Sequence, residues 1–180
     1  MDPYGGIVFG TYNEDPDKAK RKPIANLYRL APNLSLTHLL SNITVSNGIA
    51  FSENENIMYF ADTPTGRIQK FEYTKNFNKF YELETNMIFK NVGEPDGATV
   101  DIDNNYWSAR VRGKCIICVD TKDEKILEKI SLPTNTPTCV TFGGANLNSL
   151  YITSLRADPT TDNEGGNLHK IETSTQGRAQ

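Results

Sequence analysis

The sequence predicts an all-β chain built from a repeated four-stranded unit, and three observations carry that prediction. No stretch keeps the apolar spacing of a helix; short alternating runs are divided by Gly, Asn, Asp and Pro turns instead. Runs of the same kind return in the same order along the chain, which a β-sandwich does not require. One unit takes roughly 40 to 50 residues, the size of a β-propeller blade.

The first kind of run is apolar and ends in small or polar residues; it occurs at 7–11, 58–62, 106–110 and 150–154. A second follows each of these, at 26–30, 67–71, 114–119 and 167–171, and a third follows in three copies, at 36–40, 80–83 and 126–130. Three copies also carry a leading strand, at 47–52, 96–101 and 138–142. Turns at 53–56 and 103–105 join leading to second strand with Asn and Asp residues that tolerate left-handed geometry. The first copy thus lacks its leading strand and the last its outer strand, so the β-propeller is incomplete, with roughly three to four blades of four antiparallel strands. An arc of this kind leaves an open edge, and self-association through it is one expected interaction.

Composition narrows the function. The 180 residues suit a single domain over 1–180, and a net charge of -3 offers no basic field for nucleic acid or an anionic membrane. No apolar run approaches the roughly 20 residues of a membrane span. The start of the sequence has neither a basic nor an apolar leader, which predicts a cytoplasmic protein in which the sequons at Asn33 and Asn42 stay idle. Cys115 and Cys118 form a C-x-x-C, but in a strand, where positions three apart face opposite sides; both read as packing residues, as does Cys139. His38 and His169 read as surface residues, Asp62, Asp101 and Asp103 as turn or strand-end residues, and Gly143-Gly144 lacks the partners of a phosphate loop.

The leading strands carry the candidate chemistry. Asn47-Gly48 and Asp96-Gly97 each put an oxygen-bearing side chain before a glycine, on a turn into the strand, and the glycine allows positive φ or close backbone approach. Leading strands line the channel of a propeller, so their heads converge on one mouth, with Pro137-Thr138 as the third. An amide oxygen and a carboxylate suit Ca²⁺ or Mg²⁺, and Zn²⁺ or Mn²⁺ also accept oxygen. Asn-Gly and Asp-Gly are also common turn dipeptides, and two protein ligands are few for any of these ions.

The run 45–52, then 59–64, then Pro95-Asp96-Gly97 with Asp101 and Trp107, then Cys139 with Phe142-Gly143-Gly144, resembles the regucalcin and gluconolactonase family. That family includes senescence marker protein (SMP-30) and luciferin-regenerating enzyme. The resemblance implies a six-bladed propeller, here without its N-terminal blades, that binds one divalent cation, Ca²⁺ first and Zn²⁺, Mn²⁺ or Mg²⁺ as alternatives. It also implies hydrolysis of a small-molecule sugar lactone. Family ligands are a Glu, two Asn and an Asp; Asn47 matches the second Asn and Asp96 the Asp, which doubles as the catalytic base. The Glu, the first Asn and a substrate-contacting Arg would precede Met1. An acidic residue near the sugar falls at Glu14 or Asp15, with Asp15 the better positional match. With half the site encoded, the alternative is a non-catalytic calcium-binding module or an inactive truncated fragment.

Overall fold

The computed structural model describes residues 1–52, 54, 56–158 and 160–178. Among these residues four antiparallel sheets follow one another along the chain. The first holds β1 (Ile7–Gly10), β2 (Ala25–Leu30) and β3 (Leu36–Ile43). The second holds β4 (Ser46–Ser52), β5 (Ile57–Asp62), β6 (Arg67–Tyr73) and β7 (Phe80–Leu83). The third holds β8 (Glu94–Val100), β9 (Tyr106–Val111), β10 (Cys115–Asp120) and β11 (Lys125–Ser131). The fourth holds β12 (Pro137–Gly143), β13 (Ser149–Ser154) and β14 (Leu168–Glu172). The repeat read from the sequence is thus observed, with three strands in the first and last sheets, and no sheet among the described residues closes on itself. Asn104 turns the β8–β9 hairpin in the left-handed region, φ 67°. In the preceding hairpin turn Asn56 does the same at φ 53°, whereas Glu53 and Glu55 lie outside the described residues. No helix among the described residues is long and apolar enough to cross a membrane.

The core consists of three layers, one between each pair of successive sheets. Leu27, Met58, Phe60 and Phe71 fill the first, Tyr59, Ile68, Tyr106 and Ile117 the second, and Trp107, Ile116, Val140 and Ile152 the third. This explains why second strands read as apolar runs rather than as strict alternation. Every residue of β5 is buried because Met58 and Phe60 face one neighbouring sheet while Tyr59 faces the other. Cys115 and Cys118 fall in different layers, on opposite faces of β10 as their spacing requires. On the free flank of the first sheet Ile7 and Phe9 are exposed, and Phe9 stacks on Tyr28 at 5.8 Å.

Carboxylates staple the segments that lead into the next sheet. Asp62, at the end of β5, accepts the Thr44 and Val45 N–H groups at 3.0 and 2.8 Å. Asp162 accepts the Asn135 N–H at 2.8 Å and the Thr134 hydroxyl at 3.0 Å. Asp101 closes the β8–β9 hairpin through the Asp103 and Asn105 N–H groups and receives Trp107 Nε1–H at 2.9 Å. The expected turn and strand-end roles of Asp62 and Asp101 are therefore observed, each satisfying backbone donors that burial would otherwise strand.

One expectation is corrected. Asn47 and Asp96 lie inside strands, not on turns ahead of them. The β4–β5 register shifts between Asn47 and Ala50, and the β8–β9 register between Pro95 and Ala98. A third shift falls between Pro137 and Cys139, so all three leading strands are bulged near their heads: Asp96 and Thr138 fall within the shift, whereas Asn47 pairs with Ala61 at its edge. A bulge adds an unpaired residue and re-aims its side chain, and it uses the same glycine that a turn would. Gly48 takes φ 62°, where a β-carbon would meet Tyr106 Oη at 2.4 Å. Gly97 admits close approach: a β-carbon there would sit 2.5 Å from Cys139 Sγ on β12.

Candidate functional site

The site begins at the bulge of β4. Asn47 is partly buried, and its Nδ2 donates to Thr63 Oγ1 at 2.8 Å. Thr63 Oγ1 in turn donates to the Pro95 carbonyl at 2.8 Å. A threonine hydroxyl has one proton; because Pro95 takes it, the Asn47 contact must be an amide donation, which fixes the orientation of the side-chain amide. Its Oδ1 accepts no hydrogen bond among the described residues. Next in the chain, the Gly48 carbonyl accepts the buried Tyr106 hydroxyl at 2.8 Å. A hydrogen bond to the turn after β5 and one from Tyr106 on β9 therefore hold this bulge on both sides of its peptide.

Asp96 occupies the bulge of the adjacent leading strand, directly after Pro95. Burial pushes its carboxyl up to about 6, and the Gly97 N–H offsets this only in part. Among the described residues it has no ion-pair partner, so a half-buried carboxylate stands without a counter-charge. The relay from Asn47 through Thr63 to Pro95 joins the two predicted residues across two sheets. The third bulge carries Thr138, whose hydroxyl pairs with Thr153 Oγ1 at 2.8 Å.

Glu14 and Asp15 lie in the segment after β1, which is tied to the head of β4. The Asn13 N–H reaches the Thr44 carbonyl at 2.9 Å, and Ser46 Oγ donates to the Thr11 carbonyl at 2.8 Å. This segment thus borders the residue before Asn47. Exposed Glu14 accepts the Tyr12 hydroxyl at 3.0 Å, whereas Asp15 Oδ1 caps the Asp17 N–H at 2.9 Å. Both carboxylates make local contacts.

Two packing or surface readings change. Cys139 lies outside the core layers and is exposed as a residue, but its sulfur faces Gly97 and Asp96 across from β12, and the partial desolvation of the thiol there, with the Asp96 charge, raises it. Cys118 keeps the packing role, its thiol pushed up to about 12 by burial. His38 is exposed as expected, but His169 is half-buried, and its Nε2 is buried without a hydrogen-bond partner among the described residues. Thr63 was missed. The signal present was a hydroxyl directly ahead of Pro64 at the end of β5, level with the head of β4. A cavity of about 470 Å³ runs on along the same leading strands past the bulges, lined by Phe51, Val100, Thr141 and Arg178.

A divalent cation fits these residues in kind. The donors are hard oxygens, one of them an uncompensated carboxylate and the other an amide oxygen with no competing bond. They do not fill a shell, because no group of three or more His, Cys, Asp or Glu capable of holding a metal occurs among the described residues.

Comparison with known proteins gives this geometry its context. The profile of the SMP-30/Gluconolactonase/LRE-like region matches residues 1–156. A 6-deoxy-6-sulfogluconolactonase of Pseudomonas putida is 31% identical over 163 residues, which cover 90% of this chain and 54% of that protein. The solved structure of a luciferin-regenerating enzyme superposes with a TM-score of 0.86 at 28% identity, covering 99% of this chain and 61% of the other. Regucalcin of Agrobacterium tumefaciens, described as a calcium-binding protein, gives a TM-score of 0.83 at 25% identity, again with 99% and 61% covered. The chain therefore spans about half to three fifths of the length of these relatives. The matched profile, together with the repeated blade that places Asn47 and Asp96 on neighbouring bulges, shows that the chain belongs to the SMP-30/gluconolactonase/LRE-like family.

Proposed function

We propose that the chain carries part of the active site of a sugar-lactone hydrolase, with Asn47 and Asp96 as oxygen ligands of one divalent cation. The observation that carries this reading is the uncompensated Asp96 carboxylate on a bulge joined, through Thr63, to an Asn47 whose carbonyl oxygen is free. Family membership supports the lactone as substrate, and the calcium-binding relative supports Ca²⁺ ahead of Zn²⁺, Mn²⁺ or Mg²⁺. Further ligands come from water, from substrate, or from sequence that the relatives carry and this chain does not span.

A bound cation supplies Lewis-acid polarisation of the lactone carbonyl and stabilises the oxyanion that forms. Asp96, ionised at the cation's edge, would take a proton from the attacking water. Asn47, neutral and held by Thr63, orients the site without titrating. The segment with Glu14 and Asp15 borders the residue before Asn47, and in this reading Asp15, the better positional match to the family's acidic residue, contacts the sugar hydroxyls.

Hydrolysis of gluconolactone followed by pH-stat with Ca²⁺, Zn²⁺ or Mn²⁺ tests the assignment. Cation-dependent turnover is expected to fall by about 100-fold or more in Asp96→Ala. Turnover unchanged in that variant would remove Asp96 from the mechanism. Cation binding with no turnover in the unsubstituted chain would favour the calcium-binding module, a reading supported by the incomplete ligand set.

A further inference from the structure

We propose that Thr63 is a positioning residue that aims the Asn47 carbonyl oxygen at the cation and links it to the strand carrying Asp96, an inference that rests on the cation-site reading above. The single hydroxyl proton of Thr63 goes to the Pro95 carbonyl at 2.8 Å, so its lone pair receives Asn47 Nδ2–H, also at 2.8 Å. The two partners lie 16 and 32 residues away in sequence and on different sheets, so this is not a local turn contact.

Thr63 is itself held firmly. It opens a 3-10 turn, Thr63–Thr65, closed by left-handed Gly66, whose N–H donates to the Thr63 carbonyl at 3.1 Å. The Thr63 N–H donates to the Val45 carbonyl at 3.1 Å, and Asp62 just before it clamps the Thr44 and Val45 N–H groups. The hydroxyl is therefore a fixed point, level with the head of β4.

Its chemical consequence is orientation. A primary amide can turn over, exchanging its oxygen for an NH₂ group, and an NH₂ aimed at a cation repels it. Removing the hydroxyl frees Asn47 to make that turn and also loosens the carbonyl just before Asp96. A side chain that acts through a ligand in this way typically changes metal affinity by 10- to 100-fold.

Tb³⁺ titration, read by luminescence sensitised through the protein's aromatic residues, is the test, with the melting temperature of the cation-free protein recorded beside it. Thr63→Val is expected to weaken Tb³⁺ binding at least about tenfold, while Thr63→Ser, which keeps the hydroxyl, stays within about threefold. In an Asn47→Ala background Thr63→Val should cost clearly less than in the unsubstituted chain, since the part of its effect that acts through Asn47 is gone and only the hydrogen bond to Pro95 remains to be lost. A Thr63→Val protein that binds as tightly as the unsubstituted chain, while Asn47→Ala binds more weakly, overturns this inference alone. Equal additive losses in the two backgrounds also overturn it, because they assign Thr63 a purely structural role. No saturable binding by the unsubstituted chain, or none lost in Asn47→Ala, overturns the cation-site reading and this inference with it. Should Thr63→Val lack a cooperative melt, Thr63→Ala takes its place. In the unsubstituted chain one Asn47 side-chain amide proton is expected to be protected from solvent exchange in NMR spectra, and two freely exchanging protons would contradict the relay.

Discussion

Asp96→Asn is expected to stabilise the cation-free chain while abolishing cation binding and turnover. The carboxyl is raised to about 6 by burial, so it holds its proton more tightly in the folded chain than in the unfolded one. For an acid shifted in that direction stability falls as pH rises between the unfolded value near 3.8 and about 6, and the full penalty is present above that window. At neutral pH the neutral amide removes the penalty. Allowing for solvent screening of a partly exposed group, the gain is about 1–2 kcal/mol, or roughly 2–8 °C in melting temperature for a chain of this size. The unsubstituted chain should therefore melt lower at pH 7.5 than at pH 5.5, and Asp96→Asn should lose most of that difference. Added cation should reverse the ranking, since it stabilises only the protein that binds it. Scanning calorimetry at the two pH values, with and without Ca²⁺, reads all three outcomes.

The second large effect lies where the first sheet packs on the second. Asp2 and Arg29 are 4% and 2% exposed and pair at 2.5 Å from Nε to Oδ2. Asp2 Oδ1 also accepts the Tyr4 and Gly6 N–H groups at 2.8 and 2.9 Å, folding the first residues into a hook against β2. The guanidinium sits 4.8 Å from the centroid of the Phe77 ring, so the pair also spans the layer between the first two sheets. Removing one partner strands a buried charge: Arg29→Met should cost about 3–5 kcal/mol and lower the melting temperature by roughly 6–20 °C. Burial alone would raise the Asp2 carboxyl, but the hydrogen bonds from Arg29, Gly6 and Tyr4 outweigh it and hold the group below its usual value. Its stabilisation is thus present above the unfolded value near 3.8 and is lost as pH falls through the lower folded value. Urea denaturation of Arg29→Met should show a flatter acid limb below about pH 4 than the unsubstituted chain.

Strand order and the four-sheet repeat were legible because each run is a local pattern of alternation bounded by turn residues. β10 and β5 were legible as apolar runs because both faces pack, and the opposed faces of Cys115 and Cys118 followed from the two-residue period alone. The bulges were not legible. A bulge is defined by the register of two strands, so Asn47-Gly48 looks the same in sequence whether it turns ahead of β4 or kinks within it. Cys139 was misread because residue type does not tell which face of a leading strand looks into the channel; that depends on the bulge at Thr138 and on β8 opposite. The hydroxyl ahead of Pro64 was visible, but the role of Thr63 was not, for a related reason. Its role consists of two contacts from distant segments, and neither leaves a spacing in the sequence.

The most direct test of the cation site is an anomalous difference map from a crystal soaked in Mn²⁺ or Tb³⁺. One peak bonded to both Asn47 Oδ1 and the Asp96 carboxylate, at about 2–2.6 Å, is the expected result. A peak placed elsewhere on the chain, or none at saturating cation, would contradict the account.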